Sequence, residues 1–405
     1  MSATARPAGR RATHAVLGVF ALNGFLFASW VSRLPAVRDA LGLSPGQMGV
    51  LLLIGSVGSI LALPVAGGVA QRAGAAVTVR GGVVVAVAGF AVVAGGLLSG
   101  TVPLLALGLL VAQVGIAAWD VAMNLEGGLV EHEVEREIMP RFHAGFSLGT
   151  VAGAALGAGA ALLGVPVVAH LAAVAVAVAV GGLFATRGFL PFTPAPVASG
   201  RRRRLAAVLA GWREPRTLLV GVMVLAFALT EGAANDWLAL GVVDGFGTSD
   251  AVGALGFGVF VTAMTLMRLA GEQLHARFGR VAVLRGTTLL ALAGLLLFAL
   301  APVLWLSLVG GALWGLGAAL GFPAGMSAAG DEPLHAATRV SVVASIGYTA
   351  FLCGPPLLGL LAEHVGYRQA TLAIAVPLAV AFVVSGAARP LLPQRPVDAP
   401  APGRV

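Results

Sequence analysis

The sequence predicts an all-α polytopic membrane protein, with twelve transmembrane helices in two pseudo-symmetric six-helix bundles. Three observations point there. Of 405 residues, 58% are hydrophobic and only 10% charged, against about 25% charged in a soluble domain, so there is too little charge to cover a water-facing surface. Apolar runs of about 18 to 25 residues recur from end to end, the length that crosses ~30 Å of hydrocarbon at 1.5 Å per residue. The second half of the chain also echoes the first: "GFSLGTVAGAALG" at 145–157 aligns with "GYTAFLCGPPLLG" at 347–359, 202 residues later.

The spans are expected at 15–33, 47–70, 77–98, 103–127, 141–163, 166–186, 217–240, 251–270, 282–300, 303–327, 340–361 and 367–388. Arg6, Arg10 and Arg11 precede the first. Its apolar stretch exceeds a signal-peptide core and no small-x-small cleavage site follows, so it reads as a retained helix. All 25 basic residues are arginines, and with both termini on one side 22 of them fall on that side. Only Arg33, Arg38 and Arg368 fall opposite. The positive-inside rule then places both termini in the cytoplasm and the protein in the cell's inner (plasma) membrane. The basic balance reports this orientation, so no nucleic-acid partner is expected. The run Arg201 to Arg204 is expected to touch anionic headgroups of the bilayer. The lone cysteine, Cys353, excludes a disulfide and a thiolate metal cluster; no metal and no cofactor are expected. Residues 1–186 form the first bundle, 187–216 a cytoplasmic linker rich in Pro, Arg and Ala, and 217–405 the second bundle with a short tail. Such paired halves rock about a site near the midplane.

Polar residues in the apolar runs mark that site. At 100° per residue, Gln113, Asp120 and Asn124 fall within about 40° on one face of the fourth span. Asn23, Phe27 and Trp30 share a face of the first, and Phe227, Glu231 and Asn235 a face of the seventh. An ionised carboxylate facing lipid costs at least ~2.5 kcal/mol, so Asp120 and Glu231 are expected to face a wet cavity and to take up protons there. Asn23, Gln113, Asn124 and Asn235 are expected to hydrogen-bond a small-molecule substrate. Phe27, Trp30 and Trp314 would offer flat apolar faces, and "GFPAG" at 321–325 is expected to bend the tenth span at Pro323. Each has a structural alternative: acids and asparagines bonded between helices, aromatics in ordinary packing, Asp236 and Trp237 anchored near the outer interface. His143 begins the fifth span after the acidic run Glu131, Glu133, Glu135 and Glu137. It reads either as a pH-responsive gate or as a solvated interfacial histidine. Gly145, Gly149, Gly153 and Gly157 recur at fours, a surface for close helix approach.

"GGVAQRAG" at 67–74 follows the second span, and "GEQLHARFGR" at 271–280 follows the eighth. The first resembles the signature between helices two and three of the major facilitator superfamily, carried here by Gly67, Gln71, Arg72 and Gly74; Arg277 and Gly279 belong to the looser second copy. The resemblance implies the twelve-helix facilitator fold, with spans one, four, seven and ten lining a central cavity and these loops gating it. Gln71 stands where the superfamily usually has aspartate. An amide can hydrogen-bond but not ion-pair, so the latch at this loop is expected to be weaker or moved. "NGFLFASWVSRLP", "WDVAMNLEG", "MPRFHAGFSLG", "EGAANDW" and "GYTAFLCGPPLLG" together resemble fucose-permease-like bacterial transporters and the rhizopine-associated membrane protein.

The expected function is secondary transport of a small organic solute, sugar- or polyol-like, with protons, by a monomer. A proton-antiport exporter is the alternative within transport, and a non-transporting sensor the remote one. No nucleotide-binding loop or His-Glu-x-x-His motif is present, which argues against an enzyme.

Overall fold

The structure, a computed structural model, describes residues 7–135, 138–192, 211–332 and 335–391. Arg201 to Arg204, Glu137, most of the linker and the tail lie outside them. Among the described residues twelve helices are long and apolar enough to cross a membrane: Gly9–Val31, Pro45–Ala73, Ala75–Ser99, Val102–Val134, Met139–Leu162, Val167–Gly188, Pro215–Phe246, Asp250–Phe278, Arg280–Leu300, Leu304–Ala329, Thr338–Val365 and Tyr367–Ala388. They are called the first to twelfth spans. The expected number is met, but several helices run on beyond their apolar stretch, because backbone hydrogen bonding continues where hydropathy stops. The fourth takes in Glu131 and Glu133, which were expected in a loop. The eighth extends to Phe278.

Local signals set the ends. Ser44 caps the second span in a reciprocal box with Gln47, and Pro45 opens the helix behind it. Gly74 and Gly279 stop the second and eighth spans at φ 89° and 77°, a left-handed backbone that glycine adopts without strain. These two turns are 205 residues apart, so the repeat read in the sequence extends to backbone conformation. The tenth span breaks into Leu304–Ala318 and Gly321–Ala329. Pro323 lacks the N–H that would meet the Ala319 carbonyl. At Gly321 an added Cβ would enter the Phe227 ring.

Each half is a bundle of six. The first span packs on the fifth and sixth, the third and second on the fourth; the seventh packs on the eleventh and twelfth, the eighth and ninth on the tenth. The glycine row of the fifth span meets the first: a Cβ at Gly149 or Gly153 would strike the Ala21 or Phe25 carbonyl. Outward faces carry exposed Leu98, Leu162, Val176, Val180, Leu360 and Val383, the pattern of a protein whose solvent there is lipid. The halves meet in a seam where the second span packs on the eleventh and the fifth on the eighth.

Candidate transport site in the seam

Glu231 lies in mid-span on the seventh helix. Its carboxylate accepts a hydrogen bond from Arg268 Nη2 of the eighth span at 2.9 Å, and both side chains keep about a quarter of their surface open, 24% and 28%. Arg268 Nε donates to the Ala319 carbonyl at 3.4 Å, the oxygen that Pro323 leaves without a helical partner. From the other half, His143 stands within electrostatic reach of Arg268, with its ring set edge-on to Phe20 at 5.2 Å between centroids. Asp120 of the fourth span is half-buried. Asn124 donates to its carbonyl oxygen at 2.9 Å and to its carboxylate at 3.5 Å. Tyr348 of the eleventh span lies within electrostatic reach of Asp120 across the seam. Asn23 Nδ2 and Asn235 Oδ1 are buried without a hydrogen-bond partner. The side chain of Gln113 lies against Gly55 of the second span.

The seam is closed at one end. Call the end holding the N-terminus and the linker the terminal end, and the other the distal end. At the distal end Arg38 pairs with Asp244 of the other half and lies over the Tyr367 ring at 5.6 Å. Glu363 accepts hydrogen bonds from Ser44 Oγ and, at 2.8 Å, from the Gly46 backbone. Gly49 and Gly359 let the second and eleventh spans touch: a Cβ on either would lie 2.6 Å from the Pro355 oxygen or 2.7 Å from the Pro45 oxygen. At the terminal end, no hydrogen bond or ion pair among the described residues joins the halves. Charges there pair within the second half, Arg216 and Arg280 on Asp331 at 2.9 Å each, Arg339 on Glu214 and Glu332 at 2.7 Å each. Hydrogen bonds from Arg339 and then His335 hold the Glu332 carboxyl below the usual carboxylate range.

Two six-helix halves that meet along a seam and are bridged by charges at one end have a transporter's geometry, and comparison with known proteins agrees. The family described as Major Facilitator Superfamily matches residues 15–304 and 220–404. The chain belongs to this superfamily. It is 34% identical over 350 residues to the uncharacterized transporter y4wD of Sinorhizobium fredii, covering 86% of this chain and 90% of that one. It is 29% identical over 373 residues to the membrane protein MosC of Rhizobium meliloti, covering 92% and 88%. Among solved structures, the nucleoside transporter NupG superposes with a TM-score of 0.76 at 15% identity, covering 93% of this chain and 98% of that one. The E. coli fucose:proton symporter FucP superposes with 0.65 at 16%, covering 92% and 97%; at such identities these two speak for the fold. As a superfamily member the protein is a secondary transporter in a membrane, and not an enzyme.

Within the superfamily frame, the sequence-predicted residues sort into three groups. Asp120, Asn124, Glu231 and His143 border the seam, Phe27 and Gln113 are half-buried, and Asn23 and Asn235 keep unpartnered polar atoms. Trp30 and Trp314 are corrected: Trp30 is buried edge-on to Phe90, and Trp314 sits between Phe260 and Phe298, so neither ring has a free face for a solute. Asp236 and Trp237 are also corrected, since the seventh span continues to Phe246 and they lie about 15 Å inside its end, with Trp237 stacked on Tyr367. The third group is the loop signature. Gln71 and Arg72 are exposed and make no described side-chain hydrogen bond, Gly67 has open space around it, and Arg277 lies over Phe278. Arg268 was missed. A span ending at 270 left it among the loop-side arginines, whereas the helix to Phe278 carries it about 15 Å inward. The signal was there to read, because a mid-span Glu231 calls for a cation, and Arg268 is the arginine nearest the middle of the adjacent helix.

Proposed function

We propose that the protein carries a small hydroxylated solute, sugar- or polyol-like, together with protons, by opening the seam alternately at its two ends. The supporting observation is the Glu231–Arg268 pair, held in mid-span with both side chains partly open, on the seventh span and on the eighth, which packs against the other half. A carboxylate there is reachable from water through an open end and shielded from lipid, the condition for loading and unloading a proton during a transport cycle. In this reading Asp120 and Glu231 take the protons. Asn23, Gln113, Asn124 and Asn235 bond the solute hydroxyls, and Phe27 borders the ring. The arginine asymmetry of the sequence makes the terminal end cytoplasmic, so the conformation described is open to the cytoplasm in a bacterial inner membrane. Gly67, Gln71, Arg72, Gly74, Arg277 and Gly279 then lie at the gate that closes in the opposite state, beside His143.

The test is uptake into proteoliposomes under an imposed pH gradient. Glu231→Gln and Asp120→Asn should each abolish concentrative uptake of a polyol substrate while leaving its binding measurable. Concentrative uptake by both variants at the parent rate would remove the two acids from the proton path.

A further inference from the structure

Arg268 poses a problem that the hydroxylated-solute reading leaves unsolved. Its guanidinium is permanently charged, and in mid-span it needs an anion in every state of the cycle. In this structure the anion is Glu231, held by one nitrogen, Nη2. Nε is turned to the Ala319 carbonyl, and Nη1 makes no hydrogen bond among the described residues. His143 of the fifth span stands within electrostatic reach of Arg268, Tyr348 and Asp120 meet elsewhere across the seam, and Asp236 follows Glu231 by five residues on the seventh span. Among the described residues no second carboxylate is bonded to Arg268. If Glu231 takes a proton, as the proposed function requires, the cation loses its partner unless another anion replaces it.

We infer that the replacement is a carboxylate on the solute itself, so that the substrate class is a polyhydroxy monocarboxylate carried with a proton on Glu231. The Nη1–Nη2 edge of Arg268 is the fork that binds a carboxylate through two parallel hydrogen bonds, and protonation of Glu231 frees that edge. The exchange balances. One proton converts the Glu231 carboxylate to the acid, and one solute carboxylate takes over the two N–H donors. On release the solute leaves, Glu231 gives up the proton to water and bonds Arg268 again. At this pair the loaded and empty sites have the same net charge, so the exchange itself moves no net charge, and a proton carried on Asp120 adds one charge per cycle. The unpartnered amide atoms of Asn23 and Asn235 supply donors and acceptors for hydroxyl groups on the same molecule.

This inference rests on the proposed function, and the experiment separates the two. Gluconate and glucitol have the same six-carbon polyol chain and differ by the carboxylate. Their binding to the purified full-length protein is measured by titration calorimetry in two buffers of different ionisation enthalpy. The expected result is gluconate binding at least about tenfold tighter than glucitol, with proton uptake on binding. Glu231→Gln, which mimics the protonated acid, should bind gluconate with about one proton fewer taken up per site than the parent. Arg268→Gln should lose the preference for gluconate, and Arg268→Lys should keep part of it. Glucitol binding as tightly as gluconate, with no effect of Arg268→Gln, would overturn the carboxylate and leave the polyol reading standing. Binding of neither compound by the parent and by Glu231→Gln would overturn both.

Discussion

The two ends of the seam are built from similar residues and hold them in opposite ways. At the distal end, charges reach across: Arg38 to Asp244, and Glu363 to Ser44 and the start of the second span. At the terminal end, where charges are more abundant, they are paired inside the second half, Asp331 with two arginines and Arg339 with two glutamates. The conformation is therefore set by which charges bridge the halves, and the number of charges at each end says nothing about it. An exposed ion pair is worth only about 0.2–1 kcal/mol. That is the scale a gate needs, since it must break in every cycle. The distal end also holds a different kind of charge. Arg368 is buried and donates to the carbonyls of Phe298, Gly245, Ala299 and Ala301, over the Phe246 ring at 4.1 Å. It ties the seventh, ninth and twelfth spans within one half, and nothing in it is arranged to open.

Three substitutions separate the brace from the gate. Arg368→Ala should have the largest effect, because each buried carbonyl left unpaired costs about 1–3 kcal/mol. A large drop in the melting temperature of the detergent-purified protein is expected, and a melting curve like the parent's would show that water replaces the guanidinium. The next in size is Arg38→Ala combined with Glu363→Ala, which removes both cross-half contacts. Distances between spin labels at the distal end should lengthen in a fraction of molecules increased about two- to fivefold per contact, with folding unaffected. An unchanged distance distribution would put the closure on the Gly49 and Gly359 packing instead. The smallest is Gln71→Asp, which restores the superfamily's usual acid at the terminal-end loop. It should shift molecules toward the terminal-closed state by no more than about 1 kcal/mol, read by labels at the terminal end; a shift toward the open state would place Gln71 outside the gate.

The legibility of the site in the sequence followed one physical line. Asp120 and Asn124 were readable together because four residues make one helical turn, and their hydrogen bond is a within-helix fact. Glu231 stood out because lipid penalises a carboxylate. Arg268 failed the same reading because hydropathy falls off near residue 270 while the helix continues, so a residue about 15 Å deep looked like the last turn of its span. Trp30 and Trp314 failed for another reason: spacing gives the angles between residues on one helix, but not the direction in which that helix faces its neighbours.

By itself the sequence determined that the chain crosses a membrane twelve times as two related halves, and which side chains the bilayer would not tolerate outside a seam. Those are consequences of solvation and of local helix geometry, which act on each segment alone. Tertiary structure decided that Glu231 is paired with Arg268, that two tryptophans belong to the core, and that Arg38 and Glu363 close the distal end. Each of these joins residues from different helices, and only the packing of one helix against another settles which partners meet.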